Sequence, residues 1–292
     1  MDEKIYMKKS FLNGILQKYP GKMVTVNNHK MHVYSEGNGN STLVFLSGSG
    51  TYSPMYDFKT LFSKMSNDYK IVVVERAGYG FSEITDTSRD IDTVLFETRT
   101  ALLEANIKPP YILFSHSMSG IEALYWEQCY PGEINAIVGI DPAFPAFYAN
   151  MDYSSAIKKL IFISKILNGK LKCLLPLLAY LYPPIKYGKL DKTDKKICRA
   201  LFFHRTLTND MLNETKLITQ NAKKIDKEKI KTIPMLIFIS NLKGDWEKFI
   251  RDYAKDQNVE IVNLDGGHCL HDIFPDEIAD RSKMFIKNII NK

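Results

Sequence analysis

Tyr111-Ile112-Leu113-Phe114-Ser115-His116-Ser117-Met118-Ser119-Gly120 decides how the rest of this chain is read. Four apolar residues make a short strand with no polar face. Three alternating serines and a glycine follow at once. Then Ile121-Glu122-Ala123-Leu124-Tyr125-Trp126 runs on with helical spacing. A buried strand, a small polar corner and a helix form one βα unit. Repeats of that unit imply a mostly parallel sheet covered on both faces. Ser117 then lies at the carboxyl end of a strand, where open α/β sheets bind their ligands.

The unit does repeat. Buried-type runs occur at Thr42–Leu46, Ile71–Val74, Ala136–Ile140, Met235–Ile239 and Val259–Val262, separated by longer amphipathic stretches. Between Asp90 and Ala105 the residues Ile91, Val94, Leu95, Ala101 and Leu102 recur on one helical face. The Pro109-Pro110 pair ends that helix and launches the strand at Tyr111. A last helix starts near Pro275-Asp276. Ahead of the first buried run, a short helix is expected, then a hairpin of Met23–Val26 and Met31–Tyr34 turning at Asn27-Asn28.

From Ala143 to Thr232 the alternation stops and the pattern reads as helical, with apolar groups at 160–163, 174–181 and 201–203. The expected organisation is therefore a core of residues 1–142 and 233–292 with an insertion, 143–232, projecting from one edge of the sheet and placed to act as a lid. Pro176 and the interspersed lysines favour a packed lid helix at Leu174–Leu181 over membrane contact.

Composition narrows the function classes. With 45% hydrophobic and 25% charged residues over 292 positions, a packed core is expected and disorder is not. The net charge of +6 is modest. Its densest cluster, Lys223, Lys224, Lys227, Lys229 and Lys231, is interleaved with Asp226 and Glu228, as on a solvated helix face rather than a nucleic-acid site. Cys129, Cys173, Cys198 and Cys269 form no C-x-x-C pair and read as free thiols of a reducing compartment. The amino terminus carries no apolar signal segment, and the apolar run at Leu174–Tyr182 falls far short of the roughly 20 residues a membrane span needs. A cytoplasmic protein without stable membrane insertion is expected.

Three groups of residues suggest chemistry. Ser117 sits on a strand-to-helix turn whose backbone must be strained, so small neighbours are needed, and Ser115 and Ser119 are small. The plain alternative is a serine that only caps the helix. The first buried strand ends in Leu46-Ser47-Gly48-Ser49-Gly50. An N–H from Ser49 there, paired with that of Met118 at a helix start, makes a two-donor oxyanion hole. The last buried strand ends in Leu264-Asp265-Gly266-Gly267-His268, which delivers His268 to the same sheet edge as a general base. His271 is the second candidate. His116 adjoins Ser117, but adjacent side chains on a sharp turn point apart.

In this order the pieces resemble the α/β-hydrolase superfamily over roughly residues 23–290. Arg76-Ala77-Gly78-Tyr79-Gly80-Phe81-Ser82 resembles that superfamily's R-G-x-G-x-S turn with one extra residue. Serines replace both glycines of its G-x-S-x-G elbow, and Ser47 stands where many members carry histidine. The resemblance implies an α/β-hydrolase fold and an acid that completes a Ser-His-Asp triad. Most members place it after the later strand, where Asp245 is the candidate, two residues beyond the usual position. Gly139-Ile140-Asp141-Pro142-Ala143-Phe144-Pro145 is similar to the G-L-D-P-A-x-P of pancreatic-type lipases, which points to Asp141, the first residue off its strand. Asp141 is preferred and Asp245 stays open.

The expected function is a serine hydrolase acting on a carboxylic ester or related acyl bond of a small hydrophobic substrate, with no metal or organic cofactor. A serine at 117 is unlike the aspartate that the resemblance gives to epoxide hydrolases and haloalkane dehalogenases. The alternatives are a proline-iminopeptidase-like aminopeptidase, which needs lid carboxylates to hold a free amine, and a non-catalytic binding protein of this fold.

Overall fold

The computed structural model describes residues 14, 19–149, 152–226, 230, 233–241, 245–255 and 257–290. The expected short helix before the hairpin lies outside these residues, apart from single positions, as do Lys227, Lys229 and Lys231 of the lysine cluster.

In chain order the first elements are β1 (Lys22–Val26), β2 (His29–Glu36), β3 (Thr42–Leu46), α1 (Pro54–Phe62), β4 (Lys70–Glu75), α2 (Ile91–Glu104), β5 (Tyr111–His116), α3 (Ser119–Cys129) and β6 (Ile134–Ile140). Between β6 and β7 (Met235–Ile239) come α4 (Pro145–Ala149), α5 (Ser154–Leu167), α6 (Leu175–Leu178), α7 (Pro183–Lys186), α8 (Lys192–Arg205) and α9 (Asn209–Lys223). The chain closes with α10 (Asp245–Ala254), β8 (Val259–Asn263), α11 (Leu270–Ile273) and α12 (Pro275–Ile290). Every buried run named from the sequence is a strand. The hairpin turns where expected, with Asn27 and Asn28 at φ 47° and 63°, the left-handed pair that a two-residue hairpin of matching twist requires.

The eight strands form one sheet in the order β1-β2-β4-β3-β5-β6-β7-β8. The β1–β2 and β2–β4 pairings are antiparallel, and the remaining five are parallel. Side-chain alternation splits each central strand between two cores. Leu43 and Phe45 of β3, with Ile112 and Phe114 of β5, pack on one face against α1, α8 and α12. Val44, Leu46 and Leu113 pack on the other face against α2, α3, α9 and α10. Burial on both faces explains why these strands read as continuous apolar runs. Each fully buried large side chain there contributes about 1.5–3 kcal/mol.

Helix ends are set locally. Asp90 caps α2 by accepting from Thr93 N–H at 3.1 Å, and Asp191 caps α8 by accepting from Asp194 N–H at 2.8 Å. Among the described residues no strand lies between β6 and β7. The apolar stretch at 174–181 is helical and packs one stripe on the core, though as short mixed turns rather than one regular helix. Residues 172–181 form consecutive 3₁₀ and α-helical turns, with Leu175 and Ala179 buried in the core, Leu178 packed against it, and Leu177 and Leu181 facing outward.

Candidate active site

The β5–α3 corner is strained where the sequence says it should be. Ser117 has φ 53°, a left-handed conformation that costs a non-glycine residue about 1–3 kcal/mol. Its surroundings enforce that conformation. Ser119 Oγ donates to Leu46 O of β3 at 2.6 Å and accepts from His116 N–H at 2.9 Å. Ser117 O accepts from Gly120 N–H at 3.0 Å and from Ala143 N–H at 2.8 Å. Ser119 is thus more than a small residue permitting the turn; its hydroxyl sews the turn to the neighbouring strand. Ser117 itself is half-buried.

The Asp141 segment is locked to the same corner. A Cβ on Gly120 would stand 2.4 Å from Ala143 O, and one on Gly139 would stand 2.6 Å from Pro142 Cγ. Two glycines therefore let Asp141-Pro142-Ala143 lie directly on the elbow. Asp141 is the first residue past β6, with φ 47° and no exposed surface.

His268 and Asp141 meet. His268 Nδ1 donates to Asp141 Oδ2 at 2.6 Å, which leaves Nε2 as the ring's acceptor. The carboxylate takes three more donors. Ser240 Oγ reaches Oδ2 at 2.8 Å, while Ser240 N–H and Trp246 Nε1 reach Oδ1 at 3.0 and 3.2 Å. A buried carboxylate that accepts from this many donors is held in one orientation. The Trp246 ring also stands edge-on to the His268 imidazole, with centroids 5.5 Å apart at 89°. Asp245, the other acid weighed from the sequence, is exposed at the first position of α10, and its neighbour Trp246 is the residue that reaches the site.

The other histidines are committed elsewhere. His116 Nε2 donates to the His268 carbonyl at 3.2 Å, so it positions the His268 backbone. Burial, then the charges of His271 and His268, push the His116 pKa well below the usual histidine value and keep the ring neutral. His271 is fully buried and donates through Nε2 to Asp57 Oδ2 at 3.1 Å. Burial opposes its charge, but Asp57 and Asp272 outweigh burial and raise its pKa. Asp57, His116 and His271 bring one ligating atom each within 4.8 Å of one another. His271 Nε2 is bonded to Asp57 and His116 Nε2 to the His268 carbonyl, while His116 Nδ1 and His271 Nδ1 are buried with no hydrogen-bond partner.

Ser49 and Met118 line one mainly apolar cavity of about 280 Å³, together with Tyr148, Ile157 and Leu160 from the β6–β7 helices and Ile218 of α9. The Ser49 and Met118 N–H groups donate to no other group among the described residues. A Cβ on Gly48 would stand 3.0 Å from Ser117 Cβ, so the Gly48-Ser49 backbone passes directly beside the elbow. A larger concavity of about 770 Å³ lies at the opposite, amino-terminal edge of the sheet, among Asn40, Thr42, Pro110 and Pro234, and holds none of these groups.

Sequence reasoning missed the support beneath that loop. Arg76, from the glycine-rich turn after β4, is buried and donates through Nη2 to Gly48 O at 3.3 Å. It also pairs with Glu122 of α3 at 2.9 Å and Glu214 of α9 at 3.2 Å. Holding the Gly48 carbonyl turns the Ser49 N–H, at the other side of the same peptide, the opposite way. Ser240 and Trp246 were missed too, because neither a serine after a strand nor a lone tryptophan is a signal until the acid it contacts is known.

The similarity of this chain to known proteins agrees with the geometry. Residues 43–281 match the model of the alpha/beta hydrolase family. The chain is 38% identical over 289 residues to the uncharacterized protein YbdG of Bacillus subtilis (strain 168), covering 94% of this chain and 88% of that one. Among solved structures it resembles the epoxide hydrolase VrEH1 of Vigna radiata, with TM-score 0.71, 20% identity, and 91% and 97% of the two chains covered. It also resembles the DbeA-M1 loop variant of the haloalkane dehalogenase of Bradyrhizobium elkanii, with TM-score 0.67, 16% identity, and 92% and 97% covered. With its mostly parallel eight-stranded sheet, its elbow after β5 and four-fifths of its length matched by the family model, this chain belongs to the alpha/beta hydrolase family.

Proposed function

We propose that the protein is a serine hydrolase that cleaves a carboxylic ester of a small hydrophobic substrate through an acyl-enzyme. The observation that carries this is the 2.6 Å contact between His268 Nδ1 and a fully buried Asp141, at the sheet edge that also bears Ser117. In this scheme His268 Nε2 takes the Ser117 proton as Oγ attacks the acyl carbonyl. The N–H groups of Ser49 and Met118 receive the oxyanion. Asp141 fixes the tautomer and stabilises the imidazolium. His268 then protonates the leaving alcohol, and water, activated by the same ring, releases the acid.

A cavity of about 280 Å³ that is mainly apolar suits a short to medium acyl group. The helical segment between β6 and β7 supplies one wall of it and acts as a lid. The segment's carboxylates near the site are already engaged: Glu214 with Arg76 and Tyr79, and Asp210 with Thr85. That disfavours an aminopeptidase, which needs a free carboxylate for its substrate's amine. The proteins of known structure compared above are named as an epoxide hydrolase and a dehalogenase. The serine at 117 supports acyl transfer instead.

The test is a panel of p-nitrophenyl esters of increasing acyl length, run beside aminoacyl amides. Turnover peaking at short to medium esters and lost in Ser117→Ala supports the proposal. Preference for the amides, or no turnover of any ester by folded wild-type protein, contradicts it.

A further inference from the structure

We infer that the outer face of residues 154–190 docks the protein on an anionic lipid surface. Two independent features meet on this stretch. The first is charge. It carries seven lysines (158, 159, 165, 170, 172, 186 and 189) and no aspartate or glutamate. The other 255 residues hold 32 basic and 33 acidic side chains, so the whole positive excess of the chain resides here. Among the described residues, Lys189 pairs with Asp276 at 3.4 Å and Lys158 lies in the field of Asp152. Among those residues Lys165, Lys170, Lys172 and Lys186 have no carboxylate partner. Lys172 and Lys186 instead lie over the rings of Phe203 and Tyr187, at 5.1 and 4.7 Å from their centroids.

The second feature is apolar exposure. Eight of the fifteen large hydrophobic side chains exposed among the described residues fall in this stretch. Phe162 and Leu181 are 65% and 66% exposed, and Leu177 and Tyr180 more than half. Apolar groups scattered singly need no explanation, but exposed apolar side chains concentrated in one lysine-bearing segment mark a binding surface. Lysines with apolar stems beside tyrosines and leucines are the composition of a surface that rests in a headgroup layer.

Geometry separates this occupant from others. Among the described residues no helix is long and apolar enough to cross a membrane, and α6 and α7 are single turns, so the face lies on a bilayer rather than through it. A second copy of this chain is disfavoured, because a symmetric dimer sets the same lysines against themselves. An anionic lipid layer supplies both complements, negative headgroups for the lysines and hydrocarbon for Phe162, Leu177 and Leu181. The arrangement also has a use. Ile157 and Leu160 of α5 line the cavity beside Ser49 and Met118, while Phe162 and Ile163 of the same helix face outward. Docking through this face brings the cavity to the lipid phase.

The experiment is co-sedimentation of the full chain with vesicles, which needs no catalytic readout and so stands apart from the acyl-transfer proposal. Wild-type protein is expected to bind vesicles of phosphatidylglycerol and phosphatidylcholine in equal parts. Binding should fall at least about tenfold on phosphatidylcholine alone. The triple variant Lys165→Glu, Lys170→Glu, Lys186→Glu and the double variant Phe162→Asp, Leu181→Asp should each lose binding while keeping the wild-type thermal midpoint. Absence of wild-type binding to the anionic vesicles overturns the inference, as does binding undiminished by charge reversal. A stable dimer in sedimentation velocity that either variant dissociates also overturns it, in favour of a second copy as the occupant.

Discussion

Asp141 is the residue on which the site turns. Its side chain gathers His268, Ser240 and Trp246, and its backbone neighbours hold the Ser117 elbow. Asp245 is exposed at a helix start and approaches none of these groups among the described residues. Under the proposed mechanism, Asp141→Asn lowers kcat on a p-nitrophenyl ester by about 10⁴-fold with KM little changed, because the amide cannot hold His268 in the required tautomer. Asp245→Asn leaves the rate unchanged. Steady-state kinetics on the two purified variants decide between these acids, and equal, near-wild-type rates would remove both from the mechanism.

At the scale of elements, the site is three strand ends and the turns that follow them: β5 into Ser117, β6 into Asp141, and β8 into His268. Close packing of these turns is a stability matter in its own right. Gly120→Ala places a methyl 2.4 Å from Ala143 O and is expected to lower unfolding free energy by about 1–3 kcal/mol in denaturant titration. Gly267→Ala meets nothing within 4 Å and should stay within about 0.5 kcal/mol of wild type. These elements were legible in the sequence because strands buried on both faces are uninterrupted apolar runs, and because a residue such as His268 after a glycine pair has few other uses. The proposed acid was only half legible. Both Asp141 and Asp245 follow a strand, and nothing in a linear sequence says that Ser240 and Trp246 converge on the first.

At the scale of the whole molecule, a buried cluster of titratable groups ties α1, the elbow and α11 together beneath the site. Asp57, His116, His271 and Asp272 are all nearly inaccessible. Burial, reinforced by Asp57 and opposed by His271, pushes the Asp272 carboxyl from 3.8 up to about 8. The folded chain therefore keeps a proton that the unfolded chain sheds above pH 3.8, and stability falls as pH rises from there to about 8. The raised pKa of His271 acts in the same direction: its stabilisation is complete below the unfolded histidine value and is lost as pH climbs through the folded one. His116, whose pKa burial pushes well below the histidine value, acts the opposite way up to that value. Thermal midpoints should therefore decline once pH passes the ordinary histidine range toward alkaline, and Asp272→Asn should flatten the decline. An identical pH slope in that variant would show that Asp272 does not carry it.

The central claim is that Ser117, among three serines on one turn, is the nucleophile. Its most direct test is reaction of the folded protein with a fluorophosphonate, followed by peptide mass mapping. The account predicts one adduct, on Ser117, that is lost in Ser117→Ala and retained in Ser115→Ala. No adduct on folded wild-type protein, or an adduct that persists in Ser117→Ala, would contradict it.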